Sequence, residues 1–405
     1  MKTRLILILT FSISFFFIFS CTKTRKEEEA KWNGTIEYEG KVKVIKNPAD
    51  PIYGEIKFNL EEDLSIGDEY EENYMFFRVR GIQVDDDGNI FVLDRGNYRI
   101  QKFDKEGNYL QTIGKKGPGP GEFEAPASFF IDTQNNIYMY DNRKIKMFNT
   151  RGEFFRSFPV NAFISKFAAD FEGNIIANAT FYEGGAADRI TKRVIIKINS
   201  GGKIEKKIAE FSDFGPRIII TPTATRTLTS NHEYRPRLLF APLDDKVFIY
   251  AFSTEYQIIK IDDKGNILSK IQKEEQPQPI SKKEKEYIIQ KTEEGVLRAG
   301  MKVSKKDIEE VCHFRKYRTY FNSILTDDKR RIYVRKVKSV LDKSNEIDFD
   351  IFSKDGYYLY RTKLSLTPES IHKGYLYDIY TFEETGETRI KRYKVKNWEQ
   401  IKEGI

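Results

Sequence analysis

The stretch VDDDGNIFVLDRGNYRIQKFDKEGNYLQTIG at 84–114 decides the fold. It reads as strand, tight turn, strand, and then the same again. Asp87-Gly88-Asn89 and Glu106-Gly107-Asn108 supply the positive φ that tight hairpins need, and the alternation around them has the period of a strand. The pair returns as IDTQNNIYMYD (131–141) with RKIKMFNTRGEFFRSF (143–158), and as AADFEGNIIANA (168–179) with RVIIKINSGGKIEKKI (193–208). Weaker copies are APLDDKVFIYAF (241–252) with YQIIKIDDKGNILSKI (256–271), and ILTDDKRRIYVRKV (324–337) with IDFDIFSKDGYYLYRT (347–362). Four strands recurring at this spacing predict an all-β chain, a β-propeller.

A sixth unit is incomplete. YLYDIYTF (375–382) and TRIKRYKV (388–395) read as its second and third strands, with the first near 365–373. EIKFNLEEDLSIG (55–67) ends like the outer strand LQTIG and supplies the fourth. The fold expected is therefore a six-bladed β-propeller closed by an N-terminal strand. Closure removes exposed strand edges.

The spacing between Gly107, Gly152, Gly202, Gly265 and Gly356 widens along the chain. The added residues fall between units or between the second and third strands. Those two classes of connection share one face of a propeller, so one face is smooth and the other carries the elaborations. The largest insertion, 276–317, predicts two helices at about 281–294 and 304–315, with Ser281 and Ser304 as N-caps.

Residues 1–20 carry Lys2 and Arg4 before an apolar run from Leu5 to Phe19, too short for a membrane span and suited to a secretory signal. Cys21 follows Ile18-Phe19-Ser20 and resembles the lipobox of bacterial lipoproteins, which implies acylation of Cys21. Residues 21–34 then form a charged tether and 35–405 the propeller. Cys312 has no partner for a disulfide once Cys21 is lipidated. Net charge is +7 with 68 basic and 61 acidic side chains, a mixed surface and not the basic stripe of a nucleic-acid binder.

GIQVDDDGNIFVLDRGNYRIQKFDKEGNYLQTIGKKGPGPGEFEAP (81–126) resembles an NHL repeat with its inter-blade connection. With the lipobox, NPADPIYGEIKF, GPGPGEF and RRIYV, roughly residues 40–400 resemble the six-bladed β-propeller lipoproteins of Bacteroidetes-like bacteria. The resemblance implies an exported, monomeric protein of the cell envelope, held at the outer membrane by its lipid, and implies no defined activity. Some six-bladed relatives are hydrolases or lyases with Ca²⁺ or Zn²⁺ at the channel mouth.

His232, His313 and His372 are too scattered to make a zinc site. Asp85-Asp86-Asp87-Gly88-Asn89 lacks EF-hand spacing and reads as a turn held by Asx hydrogen bonds. GKKGPGPG (114–121) is not a phosphate loop, because the lysines are misplaced and prolines remove donors. No nucleophile motif is present. No cofactor is predicted, with Ca²⁺ the one ion the propeller resemblance leaves open. The basic residues are more suggestive. Arg78, Arg80, Lys166, Arg235, Arg237 and Arg318 precede inner strands, and Arg95, Arg99, Arg143 and Arg189 lie between second and third strands. Guanidinium groups bind carboxylate or phosphate bidentately, and Tyr98, Tyr234 and Tyr317 are near enough in sequence to stack on rings. The bland alternative is a set of ion pairs between blades. These residues predict a binding module for an anionic glycan, peptide or envelope protein. The alternatives are a metal-assisted hydrolase or lyase working at the channel, and a structural scaffold.

Overall fold

The computed structural model describes residues 31–170, 172–185, 190–214, 217–221, 224–228, 230, 232–301 and 303–405. The signal segment 1–20, Cys21, most of the tether and Arg189 lie outside the described residues. Trp32–Ile405 form one compact unit.

Six four-stranded antiparallel blades follow one another. Blade one is Val79–Val84, Ile90–Asp94, Arg99–Phe103 and Tyr109–Ile113. Blade two is Pro126–Ile131, Ile137–Asp141, Lys144–Phe148 and Phe154–Pro159. Blade three is Phe163–Ala169, Ile175–Glu183, Ile190–Ile198 and Ile204–Phe214. Blade four is Leu238–Pro242, Val247–Phe252, Gln257–Asp262 and Ile267–Lys273. Blade five is Phe321–Thr326, Ile332–Lys336, Ile347–Phe352 and Tyr358–Leu364. Blade six is Ser370–His372, Tyr375–Thr381 and Thr388–Val395, completed by Leu60–Ile66 from the other end of the chain. The first strand of each blade touches that of the next, and the sixth touches the first, so the ring is closed.

The core lies between blades. Six apolar clusters each join two neighbours; Phe91 and Leu93 of blade one, for instance, pack with Phe129 and Met139 of blade two. Full burial of each such side chain contributes about 1.5–3 kcal/mol. The recurring aspartate of the hairpins has a local task. Asp85 Oδ1 accepts from the N–H groups of Asp87 and Asn89, and Asn89 Nδ2 donates to Asp85 Oδ2 at 2.8 Å. Asp104 with Asn108, Asp132 with Asn136, Asp170 with Asn174 and Asp262 with Asn266 repeat it. These turns need one residue at positive φ, which is Gly88 at 87°, Gly107 at 88° and, in the Asp132 turn, Asn135 at 63°.

The N-terminal segment does more than close the ring. Thr35–Glu39 and Val42–Asn47 form a hairpin, and the second strand lies parallel to Ile267–Lys273, widening blade four to six strands. The chain then runs along the outer strand of blade five, where Ile52 and Tyr53 donate to the carbonyls of Tyr358 and Leu359. Only after this does it enter blade six. The closing strand expected within 55–67 is Leu60–Ile66, while the pairing of the residues before it was not anticipated. Strand-like alternation says that a segment will pair, and leaves open which edge it meets. Asn47 is the hinge of this lace. Its Nδ2 donates to the carbonyls of Gln272 and Gly356, and its Oδ1 accepts from the Tyr358 N–H at 2.8 Å.

The elaborations share one face, on the side of the connections into each inner strand. They include a hairpin of Arg217–Thr221 with Ala224–Leu228, which sequence reading did not foresee, and two helices. Helix α1 spans Lys282–Arg298 and α2 spans Lys305–Cys312, capped by Ser281 and Ser304 as the sequence predicts. Buried Glu284 closes the α1 capping box and also accepts from Tyr234 and Ser339 and pairs with Arg318 at 2.8 Å. Those contacts outweigh the penalty of burial and hold its carboxyl down at about 2.

Candidate functional site at the channel mouth

Inner strands of a propeller surround a channel, and here most of the channel's polar groups are spent on the ring itself. Gln83 of blade one donates to the carbonyl of Phe129 and accepts from the N–H of Ile131, both in blade two. Thr326 of blade five donates to the Pro242 carbonyl of blade four, and Asn178 of blade three to that of Leu238. Lower in the channel the cavity measures about 240 Å³ and is walled mainly by the inner strands.

The mouth on the elaborated face differs. A cavity of about 490 Å³ is lined by Arg80 of blade one, Lys166 and Arg193 of blade three, Arg237 of blade four and Arg335 of blade five. Glu369, on the approach to blade six, is the one carboxylate in its lining among the described residues. Nε of Arg193, Arg237 and Arg335 and Oδ1 of Asn322 are buried there without a hydrogen-bond partner among the described residues. A buried donor left without a partner costs about 1–3 kcal/mol, more when charged. Burial pushes the Arg193 guanidinium below its ordinary value, and Arg235 and Arg237 push the same way against Asp213. Burial does the same at Arg335, where Arg237 adds to it against Glu233 and Glu369. The mouth is thus a concentration of positive charge on rigid strands, with donor atoms unspent.

Of the sequence candidates, Arg80, Lys166 and Arg237 line this cavity. Arg99 does not. Its Nε pairs with buried Asp94 at 2.9 Å, and its Nη2 donates to the carbonyls of Glu72 and Met75, so it ties down the segment entering blade one. Lys146 pairs likewise with Asp141 at 2.8 Å in blade two. Arg235 donates to the Ser230 carbonyl and lies 3.6 Å from Asp213, and Arg318 is held by Glu284 under the helices. For the candidates Arg99, Arg235 and Arg318 the ion-pair alternative describes the geometry, with Asp94, Asp213 and Glu284 as the protein's own acids. Arg78 lies over the Phe77 ring at 5.0 Å and Arg143 over Phe163 at 4.3 Å, both exposed outside the cavity lining. Arg95 is half-buried in the short turn Arg95–Asn97. Tyr234 is buried, bonded to Glu284, and so is not a stacking platform. Tyr98 and Tyr317 lie instead beneath Lys116 and Lys316, at 5.2 and 5.0 Å.

Arg193 and Arg335 were not among the candidates. The signal that reaches one of them is a break in the repeat. The fourth residue of the second strand is Leu93, Tyr140, Asn178, Tyr250, Arg335 and Asp378 in blades one to six. Asn178 and Arg335 line the mouth. Asp378, buried beside Glu369, has its carboxyl pushed up to about 6, first by burial and then by that neighbouring charge.

A calcium ion takes six to eight oxygen ligands. The mouth offers five cationic side chains against one carboxylate, so its donor set does not fit Ca²⁺. Among the described residues no three His, Cys, Asp or Glu side chains gather as a metal site would require.

These blades and their central mouth make the chain a six-bladed β-propeller. Residues 69–248 match the model of the DUF5128 family, described as a 6-bladed beta-propeller. No curated protein matches the chain. Among solved structures it is similar to one described as a "Putative exported protein" from Bacteroides fragilis, at 14% identity and a TM-score of 0.51, covering 87% of this chain and 99% of that one. It is also similar to a member of the DUF4221 family from Bacteroides vulgatus, at 12% identity and a TM-score of 0.48, covering 84% and 98%. At these identities the likeness concerns the fold alone.

Proposed function

We propose that this chain is an exported, lipid-anchored binding module of the bacterial envelope that captures an anionic group at the channel mouth. The anion belongs to a glycan, a peptide or an envelope protein. The observation that carries this reading is the set of buried guanidinium Nε atoms of Arg193, Arg237 and Arg335, unspent in a cavity whose other cations are Arg80 and Lys166. A protein gains no stability from gathering like charges in a partly desolvated mouth unless something of opposite sign enters. Charge-assisted hydrogen bonds contribute roughly 1.5–3 kcal/mol each. Export and anchoring rest on residues 1–21, and the exported description of the Bacteroides fragilis neighbour agrees with them.

The test is calorimetry of the mature protein with phosphate, short acidic peptides and acidic oligosaccharides at low and high salt. Binding should weaken with salt and fall steeply in Arg237→Gln and Arg335→Gln. Equal binding by wild type and both variants would refute the site.

A further inference from the structure

The unspent atoms of the mouth are not all donors. Asn322 Nδ2 donates to Glu233 Oε2 at 2.6 Å. A carboxylate only accepts, so this bond fixes the amide and leaves Oδ1 as a buried acceptor without a donor among the described residues. A fully deprotonated inorganic anion would satisfy the arginines and leave Asn322 unsatisfied. A ligand that complements all four atoms carries an anionic acceptor and, close by, a hydrogen-bond donor such as a hydroxyl.

A second feature stands beside the first. The second and third strands of blade three have nine residues each, against five in blades one and two, and the extra turns of pleat rise past the mouth. This extension carries Tyr182, while Phe163 opens the inner strand whose Ser165 and Lys166 line the cavity. Their rings meet edge-on at 6.0 Å and remain 46% and 47% exposed. Tyr182 pairs with Thr191, two residues from Arg193 on the same strand. Arg143 covers one side of the Phe163 ring. Exposed aromatic rings outside the cavity lining, on the blade that supplies Lys166 and Arg193, suit a ligand with an apolar face, a carboxylate and hydroxyls on one small ring. A pyranose that bears a carboxylate has all three, and at about 490 Å³ the cavity is within the range of small-molecule pockets.

We propose that the mouth recognises a uronic-acid-type residue of an acidic glycan, with its carboxylate on Arg193, Arg237 and Arg335, a ring hydroxyl donating to Asn322 Oδ1, and its apolar face against Tyr182 and Phe163. This rests on the anion reading of the same site and adds the sugar.

The experiment is calorimetry of the mature protein with glucuronate and galacturonate, as free acids and short oligomers, beside glucose, acetate, phosphate and an acidic peptide. Tyr182→Ala and Phe163→Ala alter exposed rings and are chosen to leave the fold intact, which melting will verify. The uronates should bind at least tenfold more tightly than acetate, phosphate or glucose. Each ring variant should lose roughly five- to tenfold for uronate, the size of one aromatic contact, and keep its affinity for phosphate. Uronate binding no tighter than phosphate, or unmoved by both ring variants, overturns the sugar proposal and leaves the anion reading standing. An acidic peptide that outcompetes the uronates also overturns it. If no anion binds at all, both fall together.

Discussion

Arg331 and Arg335 stand at the two ends of one strand, Ile332–Lys336, and should respond to the same substitution with opposite sign. Arg331 is fully buried, its Nε 2.7 Å from Asp327 and its Nη1 donating to the Ile401 carbonyl, with Trp398 under the guanidinium at 4.1 Å. Arg331→Met strands the Asp327 carboxylate in a dry site, and breaking a buried pair in this way costs about 3–5 kcal/mol. Arg335 has no such partner at Nε, and burial pushes its guanidinium down. Arg335→Met keeps an unbranched apolar stem and removes an unsatisfied donor together with its charge. Because an unmet buried donor costs about 1–3 kcal/mol, the variant should be stabilised by about 1–2 kcal/mol in the absence of ligand. Urea unfolding of both variants at pH 7 and low salt measures the two shifts, provided that the slope with denaturant is unchanged. Anion-induced protection should survive in Arg331→Met at temperatures where it is folded, and shrink in Arg335→Met. A destabilised Arg335→Met that still responds fully to anions would refute the argument, since Arg335 would then be structural.

Asp378→Asn should stabilise the protein at pH 7. The folded carboxyl titrates at about 6 against an ordinary 3.8, so stability from its neutral form is present below the lower value and lost as pH rises to the upper, by up to about 3 kcal/mol; a variant whose unfolding profile from pH 4 to 7 parallels wild type would refute this. Asn47→Ala should cost about 3–5 kcal/mol in urea, because it strands the Gly356 carbonyl and the Tyr358 N–H between blades four and five; a loss under 1 kcal/mol would mean that the N-terminal lace is not cooperative with the ring. Cys21→Ser should shift the protein out of the detergent phase in membrane fractionation, and unchanged mass and partitioning would remove the lipid anchor.

The repeat itself was legible because its signals are local. An aspartate two and four residues ahead of the N–H groups it accepts is a short-range device, and the Asp85–Asn89 pattern returns in the hairpins at Asp104, Asp132, Asp170 and Asp262. The caps at Ser281 and Ser304, the blade count and the closing strand Leu60–Ile66 follow from the same kind of reading, periodicity plus turn chemistry. The basic mouth was half legible. Arg80, Lys166 and Arg237 flank inner strands and could be placed by register, while Arg235 and Arg318 share that description but are consumed by Asp213 and Glu284, as Arg99 between the second and third strands is by Asp94.

What the sequence alone determined is therefore the architecture, six blades with one elaborated face, since each hairpin is specified within about ten residues of itself. Only the tertiary structure decided which cations are free to act. Arg235 and Arg318 are spent on acids that arrive from another blade, Asp213, and from the insertion, Glu284, and pairing of that range leaves no periodic mark. The N-terminal hairpin of Thr35–Glu39 and Val42–Asn47 was not foreseen from the sequence at all, because the edge it covers belongs to a blade more than two hundred residues away, which presented an open row of backbone groups at the distance the chain could reach.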